Sequence, residues 1–303
     1  MFKYHLIAFT VVAIWGTTFI STKLLLLNGL SPAHIFTLRF VIAYVVLLVA
    51  GGFLPGRRRW MADSLRDELL MLALGVTGGS LYFLTENAAM NYTTTTNTSL
   101  IVCLCPLFAS LLISLCYRSE RLRGLQIVGS LLAAVGVTIV VLNGHFVLHL
   151  SPKGDALAFA ACLCWALYSL LLIPASKRYD TLFITRKVFA YGLLSMLPYY
   201  AVCPDLPARE SLLRTDSILQ LLFLGVVAST ACFLVWNWVI RRLGPIVTTN
   251  YVYFNPVVTI LFAWMVLDER ITVWFLLGTV LILLGMYLAD RKHRSGTPHE
   301  GQK

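Results

Sequence analysis

The sequence predicts an all-α polytopic membrane protein whose ten transmembrane helices form two inverted five-helix repeats. Composition indicates the membrane: hydrophobic residues make up 58% and charged residues 13% of the 303 positions, against about 45–50% and about 25% in globular domains. This composition excludes a soluble enzyme, a nucleic-acid-binding domain and a disordered segment, because none of these keeps so much apolar surface out of water. The number of helices follows from the apolar segments, and the repeats follow from an internal similarity.

Ten apolar segments follow one another along the chain, and each is long enough to cross a hydrocarbon core of about 30 Å as a helix. They are continuous, as at 41–49, and lack the alternation of barrel strands. The first segment has no convincing cleavage site after it, so we expect a retained helix and not a signal peptide. The segments lie near residues 5–26, 32–53, 67–90, 95–116, 124–142, 156–176, 183–202, 217–240, 246–267 and 273–290.

The Lys and Arg residues indicate the orientation of these helices. Of the positive charges between predicted spans, sixteen lie on one side of the membrane and five on the other. Because loops rich in Lys and Arg resist translocation, we expect both termini in the cytoplasm. The expected location is the bacterial cytoplasmic (inner) membrane. Arg186 and Lys187 fall inside the seventh segment, and we expect their side chains to snorkel towards the membrane surface.

The two halves of the chain are similar at a nearly constant spacing. Residues of the first half recur 150 positions later: Trp15, Gly75, Asn87 and Pro106 as Trp165, Gly225, Asn237 and Pro256. Each half contains five segments, an odd number, so the second half enters the membrane from the opposite side. We expect one repeat in 1–143, a linker in 144–155, a second repeat in 156–290 and a cytoplasmic tail in 291–303. Inverted repeats of this kind are the architecture of many secondary transporters, with the substrate between the halves.

Several short motifs carry a resemblance to a known family. They are the stretch Ala13-Ile14-Trp15-Gly16-Thr17, Leu38-Arg39-Phe40 followed by Ala43-Tyr44, the paired Pro106 and Pro256, and Glu269-Arg270 before Gly278 and Gly285. Across residues 5–290 the chain resembles the EamA-type ten-helix carriers of the drug/metabolite transporter (DMT) superfamily. The resemblance implies a carrier that exports amino acids or other small metabolites and has cytoplasmic termini, but it implies no particular substrate.

Two prolines mark corresponding helices of the halves. Pro106 and Pro256 lie in the middle of the fourth and ninth segments, where each removes a backbone donor and is expected to kink its helix. Paired interruptions of this kind point to a carrier's binding site, although a packing kink without a ligand is the alternative. Three asparagines in the polar stretches around these prolines, Asn97, Asn250 and Asn255, are candidates to line the substrate path or to join helices by hydrogen bonds.

Glu86 is the acidic side chain that we place inside a span, and its counterpart in the second half is Trp236. Intramembrane acids mark substrate or proton paths, so Glu86 is a candidate to bind a substrate ammonium group or to exchange a proton. Arg39 lies at a similar depth, and a structural Arg39–Glu86 ion pair is the alternative.

Aromatic and amide side chains complete the predicted substrate site. Aromatic rings that face a cavity stack on apolar substrate groups, and amides donate hydrogen bonds there or join helices. The aromatic candidates are Trp15, Tyr82, Trp165, Tyr168 and Trp236, and the amide candidates are Asn87 and Asn237.

Other chemistry is not expected from this sequence. We predict no catalytic residues, metal or cofactor, because zinc-protease, nucleophile-elbow and phosphate-loop motifs do not occur. The expected partners are a small-molecule substrate and membrane lipids, with no nucleic acid. Glycines at seven-residue spacing, Gly129 and Gly136 with Gly278 and Gly285, permit close helix contact. They favour packing within a monomer, with a dimer as the alternative. The alternative function is a lipid scramblase or a channel-like permease.

Overall fold

A computed structural model of the chain describes residues 2–52, 60–93, 95–117, 124–142, 151–267 and 272–290. Over these ranges the protein is helical and contains no strand. The predicted tail and most of the predicted linker lie outside them. The described helices of the first half are α1 (Phe2–Leu27), α2 (Pro32–Gly52), α3 (Leu65–Gly75), α4 (Leu81–Tyr92), α5 (Thr95–Val102), α6 (Cys105–Cys116) and α7 (Gly124–Leu142).

The second half follows a similar order and has two more helices: its seventh predicted span is divided into two helices, and a short extra helix precedes the eighth predicted span. Its described helices are α8 (Pro152–Arg178), α9 (Thr181–Leu194), α10 (Leu197–Val202), α11 (Arg209–Leu213), α12 (Thr215–Leu222), α13 (Cys232–Leu243), α14 (Pro245–Asn250), α15 (Asn255–Leu267) and α16 (Val273–Asp290).

Several helical stretches are long and apolar enough to cross a membrane, so this is a polytopic membrane protein. Five stretches qualify by length and composition within the described residues: Phe2–Leu27, Pro32–Ala50, Leu65–Tyr92, Pro152–Arg178 and Thr215–Leu243. Shorter apolar helices accompany them at Cys105–Cys116, Gly124–Val140 and Val273–Ala289.

Corresponding helices of the two halves are interrupted in the same way. A π-helical turn, Val76–Ser80, joins α3 to α4, and a longer one, Phe223–Ala231, joins α12 to α13. Such turns occur often at functional sites, because the wider turn disturbs the regular backbone hydrogen bonds. These two segments lie at the interface between the halves: α2 and α1 pack against 223–231, and α8 and α9 pack against 76–80.

The two prolines each begin a helix. Pro106 lies in the first turn of α6, after α5 has ended at Val102. Pro256 lies in the first turn of α15, after the 3-10 turn Tyr251–Phe254. The first turn tolerates proline because a backbone N–H at that position has no acceptor within the helix, so its absence costs no helical hydrogen bond. The structure therefore breaks each span just before its proline, whereas the sequence analysis expects a kink in a continuous helix.

Helices α7 and α16, the last of each half, are in backbone contact. A Cβ atom added at Gly129 would lie 2.6 Å from the Gly285 carbonyl oxygen, and one added at Gly136 would lie 2.7 Å from the Ile282 nitrogen. A Cβ at Gly278 would lie 2.7 Å from the Gly136 carbonyl oxygen. The four glycines thus bring together two helices of one chain.

Candidate functional site

A small cavity lies at the interface between the halves. Its volume is about 30 Å³, which leaves room for about two water molecules. In this conformation the space is therefore too small for an amino acid. The lining residues come from both halves: Trp15, Thr18, Phe19, Arg39, Tyr82, Phe83, Glu86, Val102, Cys105, Trp165, Phe233, Val252 and Asn255.

Arg39 of α2 provides the positive charge of this cavity and is only 3% exposed. Its Nε donates a hydrogen bond to Ser229 Oγ over 2.6 Å. Its guanidinium carbon lies 4.3 Å from the centre of the Phe83 ring, in cation–π geometry. Since Ser229 belongs to the π-helical turn of the second half, the first-half arginine is held in place across the interface.

Glu86 of α4 provides the negative charge and is 7% exposed. Its Oε1 accepts a hydrogen bond of 2.7 Å from the Tyr82 hydroxyl, one turn earlier on the same helix. Among the described contacts, the partners of Arg39 are Ser229 and Phe83, and the partner of Glu86 is Tyr82. The direct ion pair weighed from the sequence is thus not formed in this conformation, although both side chains line the same space.

Tryptophans form the opposite wall. The Trp15 ring lies 5.4 Å from Trp165, nearly perpendicular to it, and 4.9 Å from Trp236. The Trp15 Nε1 donates to the Ala228 carbonyl oxygen over 2.9 Å. Trp15 and Trp165 line the cavity, whereas Trp236 is fully buried behind Trp15 and is not among the lining residues. Trp15 and Trp165, which lie 150 positions apart in the sequence, therefore meet at the interface between the halves.

Three predicted site residues instead join helices. The Tyr168 hydroxyl donates to Asn237 Oδ1 over 2.9 Å, and Asn237 Nδ2 donates to Thr185 Oγ1 over 3.1 Å. Asn87 Nδ2 donates to the Pro32 carbonyl oxygen over 3.4 Å. None of Tyr168, Asn237 and Asn87 is among the cavity's lining residues, so their geometry matches the interhelical alternative.

The three asparagines near the prolines are placed differently. Asn255 lines the cavity. Asn250 is buried at the end of α14 and is not among the lining residues. Residue 97 lies in α5, but the side chain of Asn97 lies outside the described part of the structure.

A second group of charged residues joins the halves at the N-terminal end of α3; we call it the α3–α9 clamp, and its core is Glu68, Lys187 and Tyr191. Lys187 Nζ lies 2.6 Å from Glu68 Oε1, and the Tyr191 hydroxyl donates to Glu68 Oε2 over 2.7 Å. The Lys187 and Glu68 side chains are 9% and 10% exposed. A buried carboxylate on α3 thus binds Lys187, and the expectation that this side chain snorkels towards the membrane surface stays a prediction. Arg186 lies over the Trp60 ring at 4.7 Å.

A more exposed pair flanks this clamp. Arg178 Nη1 lies 2.7 Å from Asp67 Oδ1, but the Arg178 side chain is 61% exposed. The Tyr179 hydroxyl also donates to Asp67, at Oδ2, over 2.9 Å. The same end of α3 is thus tied to α8 as well as to α9.

The opposite end of the interface is closed by hydrogen bonds. The His34 ring Nε2 lies 3.1 Å from the Asp205 carbonyl oxygen. The Thr37 and Tyr200 hydroxyls lie 3.0 Å apart, and Asn28 Nδ2 donates to the Asp216 carboxylate over 2.8 Å. Two differently built contacts therefore flank the cavity.

The sequence model of the EamA-like transporter family matches residues 2–142 and again residues 152–289. These two matches cover most of the 303 residues. The chain belongs to the EamA-like transporter family. The resemblance to the DMT superfamily is thereby confirmed, and the chain is a multi-pass membrane transporter with a non-enzymatic function.

Relatives of this EamA-like chain match it over nearly their whole length. An Archaeoglobus fulgidus protein named "Uncharacterized transporter" is 27% identical over 293 residues, which are 96% of this chain and 98% of the relative. An Escherichia coli protein named "Probable amino-acid metabolite efflux pump" is 25% identical over 94% of each chain. A solved crystal structure aligns with 95% of this chain and 98% of its own, with a TM-score of 0.72 and 21% identity, so the two share a fold.

Sequence reasoning missed several residues of the EamA-like chain's cavity. Phe83 and Glu86 are three positions apart and Tyr82 and Glu86 are four apart, so helical spacing places all three on one face of α4. That spacing is a signal that could have found Phe83. Ser229 gave no such signal, because its counterpart 150 positions earlier is Gly79.

Proposed function

We propose that this EamA-like chain is a secondary-active exporter of amino acids or other small metabolites, working by alternating access between two inverted five-helix repeats. The observation that carries the proposal is the small cavity between the halves, which is lined by a buried cation, a buried carboxylate and an aromatic wall. Sites of this composition, apolar with a few convergent polar groups, are typical of small-molecule binding. The efflux-pump name of the Escherichia coli relative supports the amino-acid class.

The interrupted helices support the repeat. Joining the helices across their interruptions gives ten spans, with the pair of π-helical turns in the third and eighth and the pair of proline breaks in the fourth and ninth. The two separate family matches, to 2–142 and 152–289, agree with units at 1–143 and 156–290. Transporters with such repeats bind their substrate at the repeat interface, where the cavity of this chain lies.

The positive charges support the orientation of the cycle. With both termini in the cytoplasm of a bacterial cell, in its inner membrane, the α3–α9 clamp lies at the cytoplasmic face. The closed clamp then blocks the cavity from the cytoplasm, and the hydrogen bonds of His34 and Thr37 block it from outside. An exported substrate enters when the Glu68–Lys187 pair separates.

Reconstituted protein tests transport. Liposomes loaded with unlabelled L-phenylalanine or L-leucine are expected to take up the labelled amino acid by saturable counterflow. Trp15→Ala, which removes a cavity wall, is expected to lower this uptake about tenfold or more, since a large buried aromatic contact is lost. Trp274→Ala is the matched control, because Trp274 is 45% exposed on α16. Uptake that rises linearly with concentration, without counterflow, would contradict a carrier.

Labelling of Cys105 tests the clamp. Cys105 lines the cavity and is 1% exposed. In a variant that keeps only this cysteine, Glu68→Gln is expected to speed labelling by an impermeant maleimide from the cytoplasmic face about tenfold, because a hydrogen bond between charged partners is weakened. Asp205→Asn, at the opposite end, is the control and should leave this rate unchanged. Unchanged labelling in Glu68→Gln would show that the pair does not close the cytoplasmic side.

A larger groove bears on the scramblase alternative. It measures about 760 Å³ and lies between α1, α12 and α15. Its lining is mainly apolar and includes Leu24, Leu219 and Phe262, and the Thr10 and Thr17 hydroxyls donate to carbonyls of their own helix. An acyl chain fits such a groove, but its lining residues include no charged side chain to bind a charged headgroup. The groove therefore does not favour lipid scrambling, which dithionite quenching of labelled lipids would detect.

A further inference from the structure

We propose that Arg39 and Glu86 together select substrates that carry a carboxylate and an ammonium group at once, that is, zwitterionic α-amino acids. Arg39 binds the carboxylate and Glu86 binds the ammonium group. The inference rests on the proposed export function and deepens it, since it names the chemical class that the cavity accepts.

The hydrogen bonds around the two charges leave them available to a ligand. Among the described contacts Arg39 donates through Nε, to Ser229, and the terminal nitrogens of its guanidinium have no hydrogen-bond partner. Those nitrogens form the fork that matches a carboxylate. Glu86 accepts through Oε1, from Tyr82, and its second oxygen likewise has no described partner. Arg39 and Glu86 are thus each hydrogen-bonded to a neutral side chain, and each keeps further atoms that can bind a ligand.

Charge balance explains why a zwitterion is favoured over a singly charged ligand. Arg39 and Glu86 are both almost fully buried, and an uncompensated charge in such a site is costly. A zwitterion placed between the two side chains pairs with both charges and leaves the site neutral. A simple amine would add a second positive charge next to Arg39, and a simple carboxylic acid would add a second negative charge next to Glu86.

The aromatic wall indicates which amino acids fit. The perpendicular rings of Trp15 and Trp165, with Phe233 packed against both at 5.8 and 6.0 Å, offer apolar faces and edges to a side chain. Large apolar side chains are therefore preferred. Because the cavity is now closed, binding requires these walls to move apart.

The site has no second copy in the other half. The counterpart of Glu86 is Trp236, which is buried behind Trp15. Arg186, which aligns with Arg39 in the repeat, lies instead over Trp60. Among the described residues this charge pair is therefore not repeated at the corresponding positions of the second half, and Arg186 provides a matched control for Arg39.

Truncated ligands test the proposal on the unaltered protein. L-phenylalanine is expected to raise the melting temperature of the detergent-purified chain. Two analogues, 2-phenylethylamine without the carboxylate and 3-phenylpropanoate without the ammonium group, are expected to bind about tenfold more weakly or worse, because each leaves a buried charge without its partner. Equal binding of all three, or no binding of either L-phenylalanine or L-leucine, would overturn the proposal.

Variants assign the two charges. Glu86→Gln is expected to lose L-phenylalanine affinity about tenfold and to prefer 3-phenylpropanoate over 2-phenylethylamine, since only the arginine charge remains. Arg39→Gln is expected to prefer 2-phenylethylamine over 3-phenylpropanoate. Arg186→Gln is expected to keep the ligand preference of the unaltered protein. If Arg39→Gln does not fold, the near-isosteric Glu86→Gln and the ligand series still decide. A Glu86→Gln variant with unaltered preferences would overturn the role of the pair.

The two proposals fail in different ways. Selective binding of the zwitterion without any counterflow would contradict export and leave the charge pair standing. Counterflow of L-phenylalanine and both analogues at similar rates would contradict the charge pair and leave transport standing. The binding series and the liposome assay therefore separate the two.

Discussion

Replacing Lys187 by methionine is expected to lower the free energy of unfolding by about 3 kcal/mol, because it leaves Glu68 as a buried charge without its counter-ion. The two side chains are 9% and 10% exposed and 2.6 Å apart. The Tyr191 hydroxyl and the Ala62 amide still donate to the Glu68 carboxylate, which keeps the loss at the lower end of the range for broken buried pairs. Unfolding of the purified protein in detergent, followed by tryptophan fluorescence, measures the change.

The neighbouring pair provides the control. Arg178→Ala breaks the ion pair with Asp67. Because the Arg178 side chain is 61% exposed, water replaces much of the interaction that Asp67 loses. We expect a cost of about 1 kcal/mol or less. The double variant Glu68→Gln with Lys187→Met removes both charges and should recover most of the stability lost by Lys187→Met alone. Equal losses in Arg178→Ala and Lys187→Met would show that burial does not set the strength of these pairs.

The sequence predicted the helices and part of the cavity for physical reasons. Apolar segments must be helical in a bilayer, which is why the predicted spans follow the described helices. Within those spans Trp15, Glu86 and Asn255 line the cavity, whereas Tyr168 and Asn237 bond to each other. The difference lies in how each helix is rotated, and that rotation is set by packing against other helices, which hydropathy does not encode.

The cross-half contacts were beyond sequence reasoning for a related cause. Glu68 and Lys187 are 119 positions apart in the sequence. Each is a charged residue near the end of an apolar segment, a position typical of residues at the membrane surface. Ser229 accepts a hydrogen bond from Arg39 because a π-helical turn places its hydroxyl next to the guanidinium. No single residue type predicts such a turn. Contacts of this kind depend on the final packing of both halves.

Gly285→Ala is expected to destabilise the protein by about 1–3 kcal/mol, the usual cost of forcing an extra carbon into packed atoms. The added Cβ would lie 2.5 Å from both the Ala133 nitrogen and the Gly129 carbonyl oxygen. These are backbone atoms, so no side chain can rotate away, and helices α7 and α16 must separate. Thermal unfolding in detergent measures the loss.

The same substitution at Gly124 is the matched control, because no described residue of another helix lies within 4 Å of a Cβ added there. Gly124→Ala is expected to be neutral or to stabilise by up to about 1 kcal/mol, since alanine favours a helix over glycine. A loss of stability in Gly285→Ala without a loss in Gly124→Ala would establish that direct backbone contact holds α7 and α16 together. If Gly285→Ala were as stable as Gly124→Ala, the helices would part at little cost.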